Sequence, residues 1–178
     1  MVMSPRDRRL QSEFEEMKSL AASSSMLSFT STGVPPTQYS VTLTCRGLMR
    51  WNDRVGETDR HEFDITLGAG FPKFPPTVVW RTPIFHPNFK PPHICTGDIW
   101  YPGISVAEFC VEICNLIQYK SFNIYDPLDV EASLWLVVRL DEENPGIPVD
   151  TRPLRDLDFE ITARASAGPD AAGDRDDD

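Results

Sequence analysis

The sequence predicts an α+β domain in which one helix precedes a run of short strands and further helices follow them. Three features of the chain support this order. Apolar residues recur at helical spacing between residues 10 and 21, they alternate in segments between residues 26 and 80, and helical spacing returns after residue 105. Consecutive strands with short connections form an antiparallel meander, against which helices can pack.

The first helix is predicted from an N-terminal cap and an apolar stripe. Ser4 suits the N-cap position. Pro5 suits the first helical turn, because the backbone N–H groups of that turn have no acceptor within the helix and the N–H that proline lacks is not needed. The stripe extends over about four turns and indicates an amphipathic helix. It comprises Leu10, Phe14, Met17 and Ala21. The opposite face carries Arg6, Arg8, Arg9 and Lys18. Such charges are typical of a solvated face, but on an acidic protein they can also form a docking surface.

Four strands are predicted between this helix and the middle of the chain. They cover residues 26–30, 39–46, 61–67 and 77–80, where apolar side chains alternate or β-branched and aromatic residues are frequent. Turn-forming sequences separate the first three, namely Gly-Val-Pro-Pro at 33–36 and Trp-Asn-Asp at 51–53. The strands are therefore expected to form a four-stranded antiparallel meander.

Two helices are predicted in the second half of the chain. Ser105 suits an N-cap, and the wide apolar stripe that follows it as far as Ile117 indicates a helix with one buried face. A further helix is expected to begin near Asp126 and to continue to Leu140, before an Asn-Pro-Gly stop at 144–146. Residues 147–163 have weak periodicity, which predicts no particular element.

The four cysteines bear on the cellular compartment. None belongs to a Cys-x-x-Cys pair, which argues against a disulfide framework or a paired-cysteine zinc site. Cys45, Cys110 and Cys114 fall on predicted apolar faces and are expected to be small core residues. The N-terminus lacks the apolar stretch of a signal peptide, and no run reaches the roughly 18 apolar residues of a membrane span. These features predict a soluble, cytoplasmic protein with reduced thiols and no membrane association.

The length and the charge of the chain limit its organisation and its partners. The 178 residues carry a net charge of −10 at pH 7, and their number suggests a single domain covering residues 1–164. Residues 165–178 hold five Asp and one Arg without an apolar anchor, which predicts a disordered acidic tail with a solubilising role. The acidic balance argues against nucleic acid as a partner, because phosphate binding requires basic surface.

The most informative segment is residues 71–95, which read FPKFPPTVVWRTPIFHPNFKPPHIC. Its prolines fix φ near about −65° and remove backbone donors, so the segment can form neither a helix nor a central strand. The groups held there are the amide of Asn88, the imidazoles of His86 and His93, and the thiol of Cys95. This combination is typical of a reactive-cysteine site. Zinc binding by the two imidazoles and the thiol is an alternative, but no fourth ligand follows at a recognisable spacing, and no metal or cofactor is expected.

Residues 71–88 resemble the central motif of ubiquitin-conjugating enzymes, which is aromatic-Pro-x-x-Pro-Pro, a strand, and then aromatic-His-Pro-Asn. Further landmarks follow in the order of that family. They are an Ile-Cys pair at 94–95, Trp-x-Pro at 100–102 before a long helix, and Asp-Pro-Leu at 126–128 before the next helix. The resemblance covers roughly residues 4–140. It implies the ubiquitin-conjugating-enzyme fold, with an N-terminal helix, a four-stranded antiparallel meander, an active-site loop and C-terminal helices.

The resemblance also implies an acyltransferase that carries a ubiquitin-like protein as a thioester and passes it to an amine, usually that of a lysine. Cys95 would be the nucleophile, and it would have to be accessible because only the thiolate attacks. Asn88 would donate to the oxyanion or support its loop, and Asp126 would orient or desolvate the incoming lysine. His86 and Pro87 would give structural support to the site.

The partners that the resemblance implies are a ubiquitin-like protein, its activating enzyme and a protein substrate. The activating enzyme would dock on Arg6, Arg8 and Arg9, which correspond to its binding face in family members. Gly-Ala-Gly at 68–70 and the short loop at 101–104 replace the two loops through which eukaryotic members contact RING-type ligases, which makes such a ligase doubtful. These departures indicate a divergent member, and a prokaryotic conjugation system is a possible origin.

The same residues have other interpretations. Cys95 could be an inert buried thiol, Asn88 a turn cap and Asp126 a helix N-cap. The whole chain could be a non-catalytic variant that acts as a binding adaptor for a ubiquitin-like protein, or a structural adaptor in a larger complex. Non-catalytic variants lack the cysteine, so the Ile-Cys pair at 94–95 favours the enzyme.

Overall fold

A computed structural model describes residues 3–97, 99–142, 147 and 150–155 of the chain. The elements are, in order, α1 (Pro5–Ala22), β1 (Leu27–Gly33), β2 (Pro36–Leu43), β3 (Gly47–Trp51), β4 (Arg54–Thr58), β5 (His61–Thr66), β6 (Thr77–Trp80), β7 (Phe89–Lys90), β8 (His93–Ile94), α2 (Val106–Ile117) and α3 (Val130–Leu140). The predicted α+β order is confirmed. The predicted acidic tail at 165–178 and the predicted helix stop at 144–146 lie outside the described residues.

The predicted four-stranded antiparallel meander is confirmed as the sheet β1-β2-β5-β6. One row of side chains crosses all four strands, because Phe29 pairs with Val41, Val41 with Phe63, and Phe63 with Trp80. The rings of Phe63 and Trp80 stack with their centroids 5.2 Å apart. Phe14 on α1 meets Phe29 edge-to-face at 6.3 Å, so the predicted apolar stripe of the first helix covers this face of the sheet.

A second hairpin, β3–β4, was not predicted from the sequence. The Trp-Asn-Asp turn at 51–53 is present, but it is the tip of a paired ladder between Gly47 and Thr58. Most residues of this ladder are partly or fully exposed, so the hairpin lacks the alternation of apolar and polar residues that marks a half-buried strand. At its base, a Cβ on Gly47 would come within 2.8 Å of Ile117 and 3.0 Å of His61, so this close packing requires glycine.

The two predicted helix caps are confirmed. The Ser4 side chain accepts a hydrogen bond from the N–H of Asp7, and Pro5 occupies the first turn of α1. Ser105 and Glu108 form a reciprocal capping box at the start of α2. The buried carboxylate of Glu13 on α1 also accepts a hydrogen bond from the N–H of Val106 at 2.6 Å. The two helices are thus joined at the N-terminus of α2.

The predicted start of the last helix is wrong by about one turn. Helix α3 begins at Val130, and its N-cap is Asp129, whose carboxylate accepts from the N–H groups of Glu131 and Ala132. Residues 126–128 remain in a loop, in which the N–H of Asp126 donates to the side chain of Asn123, Pro127 has no N–H, and the N–H of Leu128 donates to the carbonyl of Pro87. The same carbonyl also accepts from the N–H of Asp129.

The chain returns to the core after the helices. Leu154 is 3% exposed and belongs to the main apolar cluster. Asp150 accepts a hydrogen bond from the N–H of Arg46 and forms an ion pair with Arg152. That arginine holds the pKa of the Asp150 carboxyl well below its usual range. Residues 150–155 therefore belong to the folded domain. Within the described part of the chain, no helix has the length and apolar character needed to cross a membrane.

Candidate active site

Cys95 lies directly after β8 and differs from the other cysteines in its exposure. All four cysteines are within the described residues, and all are free. Cys45, Cys110 and Cys114 are at most 1% exposed, as predicted for core residues, whereas Cys95 is partly exposed. Burial raises the pKa of the Cys110 thiol, which disfavours its thiolate form. Cys95 is therefore not a buried residue, unlike the other three cysteines.

The proline-rich segment reaches Cys95 through a short edge hairpin. Strands β7 and β8 pair Phe89 with Ile94 and Lys90 with His93. The N–H of Trp80 donates to the carbonyl of Pro92 at 2.9 Å, which ties this hairpin to β6 of the main sheet. The regular structure within residues 71–95 is β6, which is the last strand of the main sheet, and the two-residue strands β7 and β8. The segment therefore contains neither a helix nor a central strand, as predicted.

The loop after Cys95 turns back onto the core. The carbonyl of Thr96 accepts from the N–H groups of Ile99 and Trp100, at 3.2 and 3.0 Å. The indole ring of Trp100 then contacts Phe71 and Phe109, with centroid distances of 5.7 and 5.5 Å. Trp100 thereby joins the start of the proline-rich segment, the loop after Cys95 and helix α2.

Asn88 is the residue at which three segments meet. Its backbone carbonyl accepts from the N–H of Cys95 at 2.9 Å. Its side-chain amide donates to the carbonyl of Asn123 at 3.0 Å, and its side-chain oxygen accepts from the N–H of the same residue at 2.8 Å. Asn88 is 2% exposed, so water does not compete strongly for these bonds. Asn88 is more than a local turn cap, because its side chain bonds to the backbone of Asn123, which is 35 residues away in the sequence.

His86 and Pro87 shape the turn that presents Asn88. The Nδ1 atom of His86 accepts from the N–H of Asn88 at 3.1 Å, and the imidazole contacts the rings of Phe89 and Tyr119. Burial lowers the pKa of His86 to about 3, although the backbone of Ser121 acts in the opposite direction. The ring is therefore neutral near pH 7 and suits a structural role.

The loop that carries Asp126 folds back onto this turn. Its two ends are held by the Asn88 side chain at Asn123 and by the Pro87 carbonyl at Leu128. Within the loop, the side-chain oxygen of Asn123 accepts from the N–H groups of Tyr125 and Asp126, at 2.9 and 3.3 Å. Asp126 is exposed, and Tyr125 is 93% exposed. Since Asp129 caps α3, the interpretation of Asp126 as the helix N-cap is wrong.

Asn123 is a residue of this site that the sequence analysis missed. Its side chain forms an Asx-type turn with the two following donors, and its backbone pairs with Asn88. The available signal was an asparagine two residues before Tyr125-Asp126, a position from which a short amide side chain can reach the backbone ahead of it.

The three arginines predicted to form a docking face differ in their surroundings. The guanidinium of Arg9 donates to the Glu13 carboxylate and, at 2.9 Å, to the carbonyl of Ile104. Arg6 donates to the carbonyl of Gly68 at 3.1 Å. Arg8 is the exposed member of the three. Two of these side chains thus link α1 to neighbouring loops of the same chain.

The histidines and the cysteine considered for zinc do not form a cluster with acidic groups. Among the described residues, no group of three or more His, Cys, Asp or Glu side chains is arranged to hold a metal ion. Cys95 is a partly exposed residue whose N–H donates to the carbonyl of Asn88, and the side chain of Asn88 holds the loop that bears the Asp126 carboxylate.

The chain matches the model of a protein family described as ubiquitin-conjugating enzyme over residues 9–139. It is 29% identical over 86 residues to the SUMO-conjugating enzyme UBC9 of Caenorhabditis elegans, covering 45% of this chain and 51% of that protein. It is 31% identical over 75 residues to ubiquitin-conjugating enzyme E2 16 of Schizosaccharomyces pombe, covering 39% of this chain and 46% of that protein. The chain spans about half the length of these curated relatives.

Solved structures share the fold at low sequence identity. The E2 domain of a Toxoplasma gondii ubiquitin conjugating enzyme superposes with a TM-score of 0.53 at 18% identity, covering 71% of this chain and 85% of that one. S. cerevisiae Ubc12 superposes with a TM-score of 0.57 at 18% identity, covering 81% and 74%. The family match extends from α1 to α3 and contains Asn88, Cys95 and Asp126. The chain belongs to the ubiquitin-conjugating enzyme family.

Proposed function

We propose that this protein carries a ubiquitin-like protein as a thioester on Cys95 and transfers it to an amine of a protein substrate. The supporting observation is the meeting of three segments at Asn88. Its carbonyl holds the N–H of Cys95, and its side chain holds the loop that bears Asp126. A partly exposed thiol and an acidic loop are thus connected through one buried residue, whereas the other three thiols are buried.

The reaction would proceed in two acyl transfers. First, the Cys95 thiolate attacks the carbonyl carbon of a modifier that is bound to its activating enzyme as a thioester. A new carbon–sulfur bond forms, and the thiolate of the activating enzyme leaves. In the second transfer, a neutral amine attacks the Cys95 thioester, an amide bond forms, the Cys95 thiolate leaves, and the proton released by the amine nitrogen passes to solvent.

The loop residues would act on this second transfer. The Asp126 carboxylate, on an exposed loop, is suited to orient a lysine amine and to favour its approach. The Asn88 amide has two N–H donors, of which one is committed to the carbonyl of Asn123. We therefore assign Asn88 a positioning role first, and donation to the oxyanion would have to use its second N–H.

The partners follow from the family and remain proposals for this chain. They are a ubiquitin-like protein, an activating enzyme and a protein substrate, and a RING-type ligase stays doubtful. For the activating enzyme we expect the largest contribution from Arg8, because it is exposed and donates only to the nearby carbonyl of Met3, whereas Arg6 and Arg9 are partly buried against the distant carbonyls of Gly68 and Ile104. Arg8→Glu should slow thioester loading more than Arg8→Lys, which keeps the charge. Equal loading by the two variants would remove Arg8 from the docking face.

The test of the proposed function is a loading experiment with the cognate activating enzyme, ATP and the ubiquitin-like protein. The wild type should form an adduct that a reducing agent releases. Cys95→Ala should form none, and Cys95→Ser should form an oxyester that resists the reducing agent. An adduct that survives Cys95→Ala would refute the assignment of Cys95. Non-covalent binding of the modifier without any adduct would instead favour the adaptor.

A further inference from the structure

A groove of about 330 Å³ lies beside the loop that follows Cys95. Its apolar lining consists of Ile99, Tyr101 and Ile104 from this loop and Val111 from helix α2. The Tyr101 ring is 59% exposed, and Ile99 and Val111 are partly exposed, so the groove presents apolar surface to the outside. Exposed apolar surface of this kind is typical of a place where another segment docks.

The described chain ends at this groove. Leu154 is anchored in the core, and the next residue, Arg155, is itself part of the groove lining. An extended chain advances by at most about 3.6 Å per residue, so the connection from Arg155 spans at most about 7 Å to Leu157 and about 14 Å to Phe159. These lengths allow both side chains to reach the groove without a long connection.

This segment has the composition needed to fill an apolar groove from one side. Residues 156–161 read DLDFEI, so apolar and acidic side chains alternate strictly. In an extended chain, alternate side chains point to opposite sides. When Leu157 and Phe159 face the groove, the alternating acidic side chains of residues 156, 158 and 160 face solvent and away from Glu108 and Glu112, which also line the groove.

We propose that Leu157 and Phe159 dock in this groove, so that the chain's own C-terminal segment covers α2 next to the active-site loop. The segment then braces the turn between Thr96 and Ile104. Three amides of this turn are hydrogen-bonded to nearby carbonyls, those of Ile99, Trp100 and Ile104. Their exchange with solvent deuterium reports how often the turn opens.

The experiment compares the full-length wild type with Phe159→Asp and Thr162→Asp. Both variants add one carboxylate to the same segment, but only the first removes a side chain that the proposal places in the groove. Phe159→Asp should accelerate exchange at Ile99, Trp100 and Ile104 by roughly tenfold, and Thr162→Asp should leave it unchanged. Val111→Asp, which changes the groove itself, should increase exchange in residues 156–161.

A second readout locates the segment. In a Cys95→Ser background, the pair Val111→Cys and Phe159→Cys should form an intramolecular disulfide under mild oxidation, and the pair Val111→Cys and Thr162→Cys should form it much more slowly. The proposal is overturned if both pairs crosslink equally, or if Phe159→Asp and Thr162→Asp have the same effect on exchange. Protection that increases with protein concentration would overturn it too, because the occupant would then be a second copy. Neither readout requires thioester activity, so the proposed function can fail without affecting this inference.

Discussion

The side chain of Asn88 offers the most informative perturbation of the site. Asn88→Ala removes both hydrogen bonds between this side chain and the backbone of Asn123, at 3.0 and 2.8 Å. It leaves the bond from the N–H of Cys95 to the carbonyl of Asn88, because that bond is between backbone atoms. The substitution therefore separates the loop that carries Asp126 from the segment that carries Cys95.

The expected loss of stability follows from the burial of these bonds. A typical intramolecular hydrogen bond contributes about 0.5–1.5 kcal/mol, so two of them at a residue that is 2% exposed should contribute about 1–3 kcal/mol. Urea unfolding should show this decrease as a lower midpoint with an unchanged slope. Hydrogen exchange should become faster at Asn123, whose N–H loses its acceptor.

The effect on transfer distinguishes positioning from a role in loading. Asn88→Ala should acquire the thioester at the wild-type rate but discharge it to lysine up to about 100-fold more slowly, because the acidic loop is misplaced. Asn123→Ala is a useful comparison, since it keeps its backbone bonds to Asn88 but loses the side-chain acceptor for Tyr125 and Asp126. It should also slow discharge. A free energy of unfolding within about 0.5 kcal/mol of the wild type, together with normal discharge of Asn88→Ala, would refute this reasoning.

Three further predictions concern the thiols, a buried carboxylate and the histidines. In the native protein, iodoacetamide should alkylate Cys95 much faster than the other cysteines, which are at most 1% exposed, and equal labelling followed by mass spectrometry would contradict this. Glu13→Ala should lower the free energy of unfolding by about 2–4 kcal/mol, because the N–H of Val106 loses its acceptor in a buried site; a loss below about 0.5 kcal/mol in urea unfolding would contradict it. Burial lowers the pKa of His61 to about 4 and that of His86 to about 3, so the unfolded chain binds protons below about pH 6.5 that the folded chain does not. The contribution of these two histidines to the free energy of unfolding should therefore be fully present above pH 6.5. The free energy of unfolding should decrease towards pH 4 with a slope approaching about 2.7 kcal/mol per pH unit, and a value independent of pH over this range would contradict the prediction.

Local chemistry made much of the fold predictable. Ser4 and Ser105 are helix caps because their side chains accept from backbone donors only three residues away, and such short-range pairs are visible in the sequence. The strands of the main sheet were predicted for the same reason, since each has one buried face. The β3–β4 hairpin was missed because its strands are mostly exposed and lack that signal.

Contacts between distant residues were not predictable. The carboxylate of Glu13 caps a helix 93 residues away, and Asp150 holds the N–H of Arg46 across 104 residues. In both cases a polar residue with no local signal is buried only because the fold brings it to a backbone donor. The misplaced start of α3 has a similar origin, because the carbonyl of Pro87 captures the N–H groups of Leu128 and Asp129.

The candidate site was predictable as a set of residues but not as an arrangement. The segment at 71–95 pointed to Cys95 and Asn88 through its composition and through its resemblance to a family motif. The bridge from the Asn88 side chain to Asn123, and with it the way in which the loop of Asp126 is held, emerged only from the fold.

The central claim is that Cys95 carries the modifier, and mass spectrometric mapping of the loaded protein tests it most directly. The wild type is loaded with activating enzyme, ATP and the ubiquitin-like protein, the remaining free thiols are alkylated, and the thioester is then released and labelled with a second reagent. The first alkylation is carried out on the unfolded protein, so that buried thiols also react. The account predicts the first label on Cys45, Cys110 and Cys114 and the second label on Cys95. A second label on any of those three cysteines, or an adduct that persists in Cys95→Ala, would contradict it.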